Sequence, residues 1–139
     1  MEYWNDQLAI RDVIDRYATA LDLRDWENVR SCFTTDCHAD YERFGSWTER
    51  DRFVTSLQAI HRDVGPTLHR IANHQIRVHC DRAIATSYLD ALLHVPHEDH
   101  DLIHVVGKYL DEFIRTEDGW RISRRRFETF LRRRERLKA

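Results

Sequence analysis

A chain of 139 residues is long enough for one domain that buries about two-thirds of its unfolded surface, and too short for two ordinary ones, so one domain over residues 1–139 is expected. Its 42% hydrophobic and 33% charged content excludes intrinsic disorder, and no apolar run approaches the ~20 residues of a membrane span, so a cytoplasmic protein without a membrane partner is expected. Net charge is −2, with eight basic residues gathered between Arg124 and Lys138; they are interleaved with Phe127, Phe130 and Leu131 and carry no nucleic-acid reading motif, so no nucleic-acid partner is expected.

The chain is organised around the stretch from Ile10 to Trp26. Ile10, Val13, Ile14, Tyr17 and Leu21 recur at three- and four-residue spacing, which predicts a helix with one buried stripe. The Tyr17 hydroxyl is the polar group in that stripe. Asp22 follows at the helix end, where the macrodipole disfavours a negative charge. Asp25 can cap a second, short helix that places Trp26, Val29, Cys32 and Phe33 on one side. Thr34-Thr35-Asp36 reads as a turn and Cys37 to Tyr41 as a brief strand. Thr48, with Asp51 three residues on, reads as the cap of a third helix whose buried stripe is Phe53, Val54, Leu57 and either Ile60 or His61. Gly65-Pro66 ends helical structure. The three cysteines are odd in number and lack CxxC spacing, so they are taken as reduced.

From Thr67 the pattern changes. Thr67 to Cys80, Ala83 to Val95, Leu102 to Arg115 and Trp120 to Leu131 are long, rich in β-branched and aromatic residues, and joined mostly by short turns, which predicts an antiparallel meander. Strands this long curl when one face wraps helices. Closed off by the first helix, the curved sheet leaves a concavity for a small ligand.

His69 opens the first long strand. A neutral imidazole can take a proton near pH 7, and a carboxylate on its other nitrogen fixes the tautomer and stabilises the imidazolium. Asp22 is the candidate carboxylate, provided the helix ends or bends there, because Asp22 lies about 140° around an ideal helix from Tyr17. Tyr17 would donate its hydroxyl to a substrate oxygen. The plainer readings stay open: a core histidine bonded to backbone, an Asp22 paired with Arg24 or solvated, and a Tyr17 that only packs.

Period-two alternation places Tyr88, Asp90, Leu92 and His94 on one face of the second long strand, and Gly107, Tyr109, Asp111 and Phe113 on one face of the third. Tyr88, Asp90 and Tyr109 are therefore candidate pocket residues, with Tyr41 from the short strand. Which face points inward is not settled by alternation. His94, His97, His100 and His104, with Glu98, Asp99 and Asp101 between them, resemble metal-binding sequence; Pro96 and the strand pattern deny the helix that such spacing needs, so no metal site is expected.

The segment IRDVIDRYATALDLRDWENVRSCFTTDCHADY, then TLHRIANHQIRV and VVGKYLDEFIRTEDGWRISRRRF, resembles the SnoaL-like branch of the nuclear transport factor 2-like superfamily. That family includes scytalone dehydratase, bile acid 7-alpha-dehydratase and lindane dehydrochlorinase. The resemblance implies an α+β fold, a cone-shaped α+β barrel with N-terminal helices packed on a strongly curved, mostly antiparallel sheet. It also implies that His69 and Asp22 stand where those enzymes carry a proton-transferring dyad, Tyr17 where the bile acid enzyme has a pocket tyrosine, and Asp90 near that enzyme's second essential aspartate. Departures are Leu21, where scytalone dehydratase has a tyrosine, Tyr109, near its asparagine, and Tyr17, where the dehydrochlorinase has a lysine.

The expected function is a cofactor-free lyase or isomerase acting on a small hydrophobic cyclic or polycyclic compound, and the resemblance implies a homodimer or homotrimer. The alternative is a non-catalytic binding or assembly module, like the small subunit of ring-hydroxylating dioxygenases. A pocket of ~300 Å³ or more reaching His69 favours the first.

Overall fold

The structure, a computed structural model, describes residues 1–96 and 101–137. The stripe of Ile10, Val13, Ile14, Tyr17 and Leu21 is buried along helix α1 (Glu2–Leu23), which starts well before Ile10. Both Asp6 carboxylate oxygens accept hydrogen bonds from Arg115, at 2.8 Å, and one also from Trp120 Nε1 at 3.0 Å, fastening the beginning of α1 to the sheet.

α1 ends abruptly. Arg24 takes the left-handed conformation (φ 59°), which costs a non-glycine residue roughly 1–2 kcal/mol. Its guanidinium offsets that cost by donating to Leu21 O at 2.9 Å, Thr67 Oγ1 at 2.9 Å and Gly65 O at 2.8 Å. The turn therefore holds the end of α1 against the start of a strand 43 residues away.

Helix α2 (Trp26–Ser31) is capped as expected, with Asp25 Oδ1 accepting from the Asn28 amide. Asp25→Ala should cost about 1 kcal/mol of stability, seen as a lower urea midpoint at unchanged slope; no change would mean that this six-residue helix is held by packing alone.

Strand β1 (Phe33–Asp40) begins at the segment expected to turn. Thr34, Thr35 and Asp36 are extended, and their turn-like composition corresponds instead to a register irregularity between Phe33 and His38. A 3₁₀ turn at Glu42–Phe44 and a two-residue strand β2 (Ser46–Trp47) follow. Helix α3 (Arg50–His61) has Glu49 as its N-cap, with no side-chain capping bond. The expected Thr48 cap is not formed, because Thr48 lies one residue outside the position from which a side chain reaches the first amides. On α3 the buried stripe closes with His61, while Ile60 is 46% exposed.

Strands β3 (Thr67–His79), β4 (Arg82–Val95), β5 (Asp101–Thr116) and β6 (Gly119–Arg136) form the expected antiparallel meander. The full order is β2-β1-β6-β5-β4-β3, with β1 parallel to β6. The sheet is not closed; β2 and β3 are its edges. Register shifts at Ala72/Gln75, Val106/Gly107 and Glu112/Phe113 insert bulges that sharpen twist and bend. At Gly107 the bend requires glycine, since a Cβ there would lie 2.2 Å from Glu128 O and 2.8 Å from the Phe127 ring. The concave side of this α+β fold faces α1 and α3 and holds the core. Cys32 and Cys37 are buried, Cys80 is exposed, and all three are free thiols. Among the described residues no helix is long and apolar enough to cross a membrane.

Candidate functional site

The stop at Leu23 directs Asp22 toward β3. Its Oδ1 accepts from His69 Nδ1 at 2.6 Å and from Thr67 Oγ1 at 2.9 Å, and its Oδ2 accepts from the His69 backbone amide at 2.9 Å. Three donors on one carboxylate compensate for its place at the unfavourable end of the helix dipole. Because a carboxylate only accepts, Nδ1 of His69 carries a proton toward Asp22, and Nε2 has no hydrogen-bond partner among the described residues. Partial burial pushes the Asp22 carboxyl up, but the bonds from the His69 ring and backbone and from Thr67 outweigh it and hold the carboxyl below its ordinary value of 3.8.

Stability depends on pH accordingly. With its folded value depressed, Asp22 contributes stability that is present above its unfolded value, ~3.9, and is lost as pH falls through the folded one. The stability margin of the native chain over Asp22→Asn should therefore be widest near neutrality and shrink below pH ~4. Urea titrations at several pH values check this, and a margin independent of pH would contradict the linkage.

His69 stands in the wall of a hollow of about 200 Å³. The hollow is mostly apolar, with Leu21, Leu57, Leu89, Ala91, Val105 and Phe127 around it and the exposed Phe44 and Ile60 at its mouth. Its polar wall groups include Tyr17, Tyr41, Tyr109, His61 and His69. The Tyr17 and Tyr41 hydroxyls hydrogen-bond each other at 3.0 Å. Burial pushes the tyrosine values up at all three positions, with Arg125 pulling the other way, so at neutral pH these are intact O–H donors. A roomier depression, about 480 Å³ beside Trp47, Glu49 and Arg52, is open surface with none of these groups.

The structure thus brings His69, Asp22, Tyr17, Tyr41 and Tyr109 together and separates two candidates from them. Tyr88 is 51% exposed, and the Asp90 side chain, 42% exposed, accepts from Arg70 Nη2 at 2.8 Å and pairs with His104 Nε2 at 2.6 Å. Both lie on the outer face of β4, because its inward residues are Leu89, Ala91 and Leu93. Neither lines the hollow, contrary to the expectation that they are pocket residues.

On β5 the inward set is Gly107, Tyr109, Asp111 and Phe113. Asp111 is buried there against Arg125, whose Nε and Nη2 each donate to a carboxylate oxygen at 2.8 Å. The guanidinium carbon sits 3.9 Å from the Tyr109 ring centre and 4.4 Å from that of Tyr17, so this buried cation backs two tyrosines of the hollow. Arg125 went unseen in the sequence because it sits in a basic run. His61 is readable in the sequence as one of two ways to close the α3 stripe, without any sign that it lines the hollow. In the histidine-rich segment, His97, Glu98, Asp99 and His100 lie outside the described residues. Among the described residues no group of three or more His, Cys, Asp or Glu side chains is placed to hold a metal ion.

The family model of the SnoaL-like domain matches residues 2–126. A solved structure from Kribbella flavida is 26% identical and superposes with a TM-score of 0.88, covering 94% of this chain and 95% of that one. A Novosphingobium aromaticivorans protein provisionally named scytalone dehydratase is 23% identical, with a TM-score of 0.88 over 99% of this chain and 92% of that one. The type 3 hexachlorocyclohexane dehydrochlorinase of Novosphingobium barchaimii is 16% identical, with a TM-score of 0.84 over 96% and 92%. The last two likenesses show the fold.

Proposed function

The chain belongs to the SnoaL-like domain family of the nuclear transport factor 2-like superfamily, and from that premise we propose that it is a cofactor-free lyase of the dehydratase type, or an isomerase, working on a small hydrophobic ring compound. The observation that carries this reading is His69: Nδ1 is tied to Asp22 at 2.6 Å while the ring lines an apolar hollow whose other polar groups include the paired Tyr17 and Tyr41 hydroxyls.

In this reading His69 Nε2 takes a proton from a substrate carbon beside an electron-withdrawing group, and the Asp22 carboxylate stabilises the imidazolium formed. Tyr17, with Tyr41 hydrogen-bonded to it, donates to the oxygen on which charge develops. The proton on Nε2 then passes either to a leaving hydroxyl, releasing water and leaving a carbon–carbon double bond, or to a second carbon, which shifts the double bond. Tyr109 shapes the wall. The volume of the hollow, which opens past Phe44 and Ile60, bears on the size of the compound. At about 200 Å³ it is below the ~300 Å³ of ordinary ligand pockets and a little above the ~150 Å³ that accommodates benzene in an engineered apolar cavity, which suits a compound of one or two rings.

That modest volume also favours the second reading, a binding or assembly module in which Asp22 and His69 are a satisfied buried pair. Incubation in heavy water with a panel of one- and two-ring β-hydroxy ketones separates the two. Under the enzymatic reading mass spectrometry detects deuterium at the acidic carbon or loss of one water. Compounds that bind in the hollow without either change would leave the module reading standing.

A further inference from the structure

His61 is a buried wall group of the hollow that the proposed chemistry does not use. Its imidazole, 7% exposed, closes the buried stripe of α3, and its ring centre lies 6.4 Å from that of His69 and 6.1 Å from that of Trp26. Nδ1 lies 2.8 Å from Leu57 O. A carbonyl oxygen accepts and does not donate, so Nδ1 carries the hydrogen and the neutral ring has a bare lone pair on Nε2. That Nε2 is buried and has no hydrogen-bond partner among the described residues. Leaving a buried acceptor unpaired is costly, and an acceptor unpaired in the empty fold is satisfied by whatever donor enters beside it.

We infer that His61 Nε2 is the specificity acceptor of the hollow: it takes a hydrogen bond from a hydroxyl or N–H group of the bound compound, so the site selects ring compounds that carry such a donor over isosteric hydrocarbons and halocarbons. This rests on the reading of the hollow as a ligand site, and it narrows that reading to hydroxylated or amino-substituted rings. Burial disfavours the charged imidazolium at His61 more than its Leu57 bond favours it, and Arg24 and His69 act in the same direction as burial, with Asp22 opposing; the ring is thus kept as a neutral acceptor. Nε2 is closed off in the empty site, so contact requires a small turn of neighbouring wall side chains, the kind of rotamer change that commonly accompanies binding. Discrimination follows because a site built around a buried acceptor rejects the analogue without the donor far more strongly than an apolar wall rejects a small change of size.

The test uses three probes built on one methylated ring, 4-methylphenol, its near-isostere 4-chlorotoluene and the smaller toluene, titrated against the whole chain and against His61→Phe by NMR. The expected result is that 4-methylphenol binds the native chain about tenfold more tightly than either of the others. In His61→Phe the preference should fall below about twofold, with 4-chlorotoluene still bound. A second readout needs no variant: in the native chain the ¹⁵N resonance of His61 Nε2 should shift upfield with 4-methylphenol and stay in place with toluene. Equal affinities for the three probes, an unmoved Nε2 resonance, or a phenol preference that survives in His61→Phe would each overturn the assignment while leaving the hollow as a ligand site. Failure of all three probes to bind would remove the ligand site and this assignment together.

Discussion

Asp111→Ala is expected to cost the fold about 3–5 kcal/mol, because it leaves the Arg125 guanidinium buried without a counter-charge. Arg125 is 0% exposed, and Asp111 takes both of its paired N–H groups. Against a total stability of order 5–15 kcal/mol, that loss brings a domain near the edge of unfolding, so the urea midpoint should fall by a large fraction of its value. The contrast is the double variant Asp111→Leu with Arg125→Met, which removes both charges and keeps apolar volume; exchanges of this kind are often neutral or stabilising elsewhere. It should recover most of the loss in stability but not the backing of Tyr17 and Tyr109, whose rings stack on the guanidinium at 4.4 and 3.9 Å. A single-variant loss below about 1 kcal/mol would mean that water reaches Arg125, and the pair would then be no more than an exposed one in energy.

The same pair shows what alternation in a sequence conveys and where it stops. Period two groups residues by face along one strand, so Tyr109 and Asp111 are readable as neighbours, as are Tyr88 and Asp90. It does not say which group faces in; that depends on how each strand enters the sheet. Nor does it survive a bulge. Trp120 and Ile122 point inward on β6, and unbroken alternation would put Arg124 beside them; the register shift at Glu112/Phe113 brings Arg125 inward instead. On β3 the shift at Ala72/Gln75, with Asn73 at φ 55°, likewise carries the inward set from His69 and Ile71 to His74 and Ile76. The helices were more legible, since their stripes are local and self-consistent. Asp22 and His69 stood out as an acid in a poor place and an imidazole after a Gly-Pro break. Their contact depends on Arg24 turning left-handed, for which an arginine gives no warning.

Asp22→Asn and His69→Ala are each expected to lower turnover by ~10²–10⁴, the contribution of a positioned general base, on whichever ring compound first shows proton exchange or loss of water. The two variants fail for different reasons. His69→Ala removes the base. Asp22→Asn leaves His69 in place and replaces a group that accepts three hydrogen bonds with an amide that has one accepting oxygen. If that oxygen meets the His69 backbone amide, the NH₂ confronts the ring, which must then present a bare Nδ1 and carry its proton on Nε2, the nitrogen that was to act as base. If it turns the other way, the NH₂ faces the backbone N–H, and that donor is left unpaired at a cost of about 1–3 kcal/mol. Thr67→Val is the control: it removes one donor to Asp22 and one of the three acceptors that hold the Arg24 guanidinium, without altering the tautomer of His69, and its turnover should stay within about tenfold of the native chain. Circular dichroism and urea midpoints confirm that each variant is folded before rates are compared. Native turnover in a folded Asp22→Asn or His69→Ala would remove the dyad from the chemistry and leave it as a clamp between the end of α1 and the start of β3.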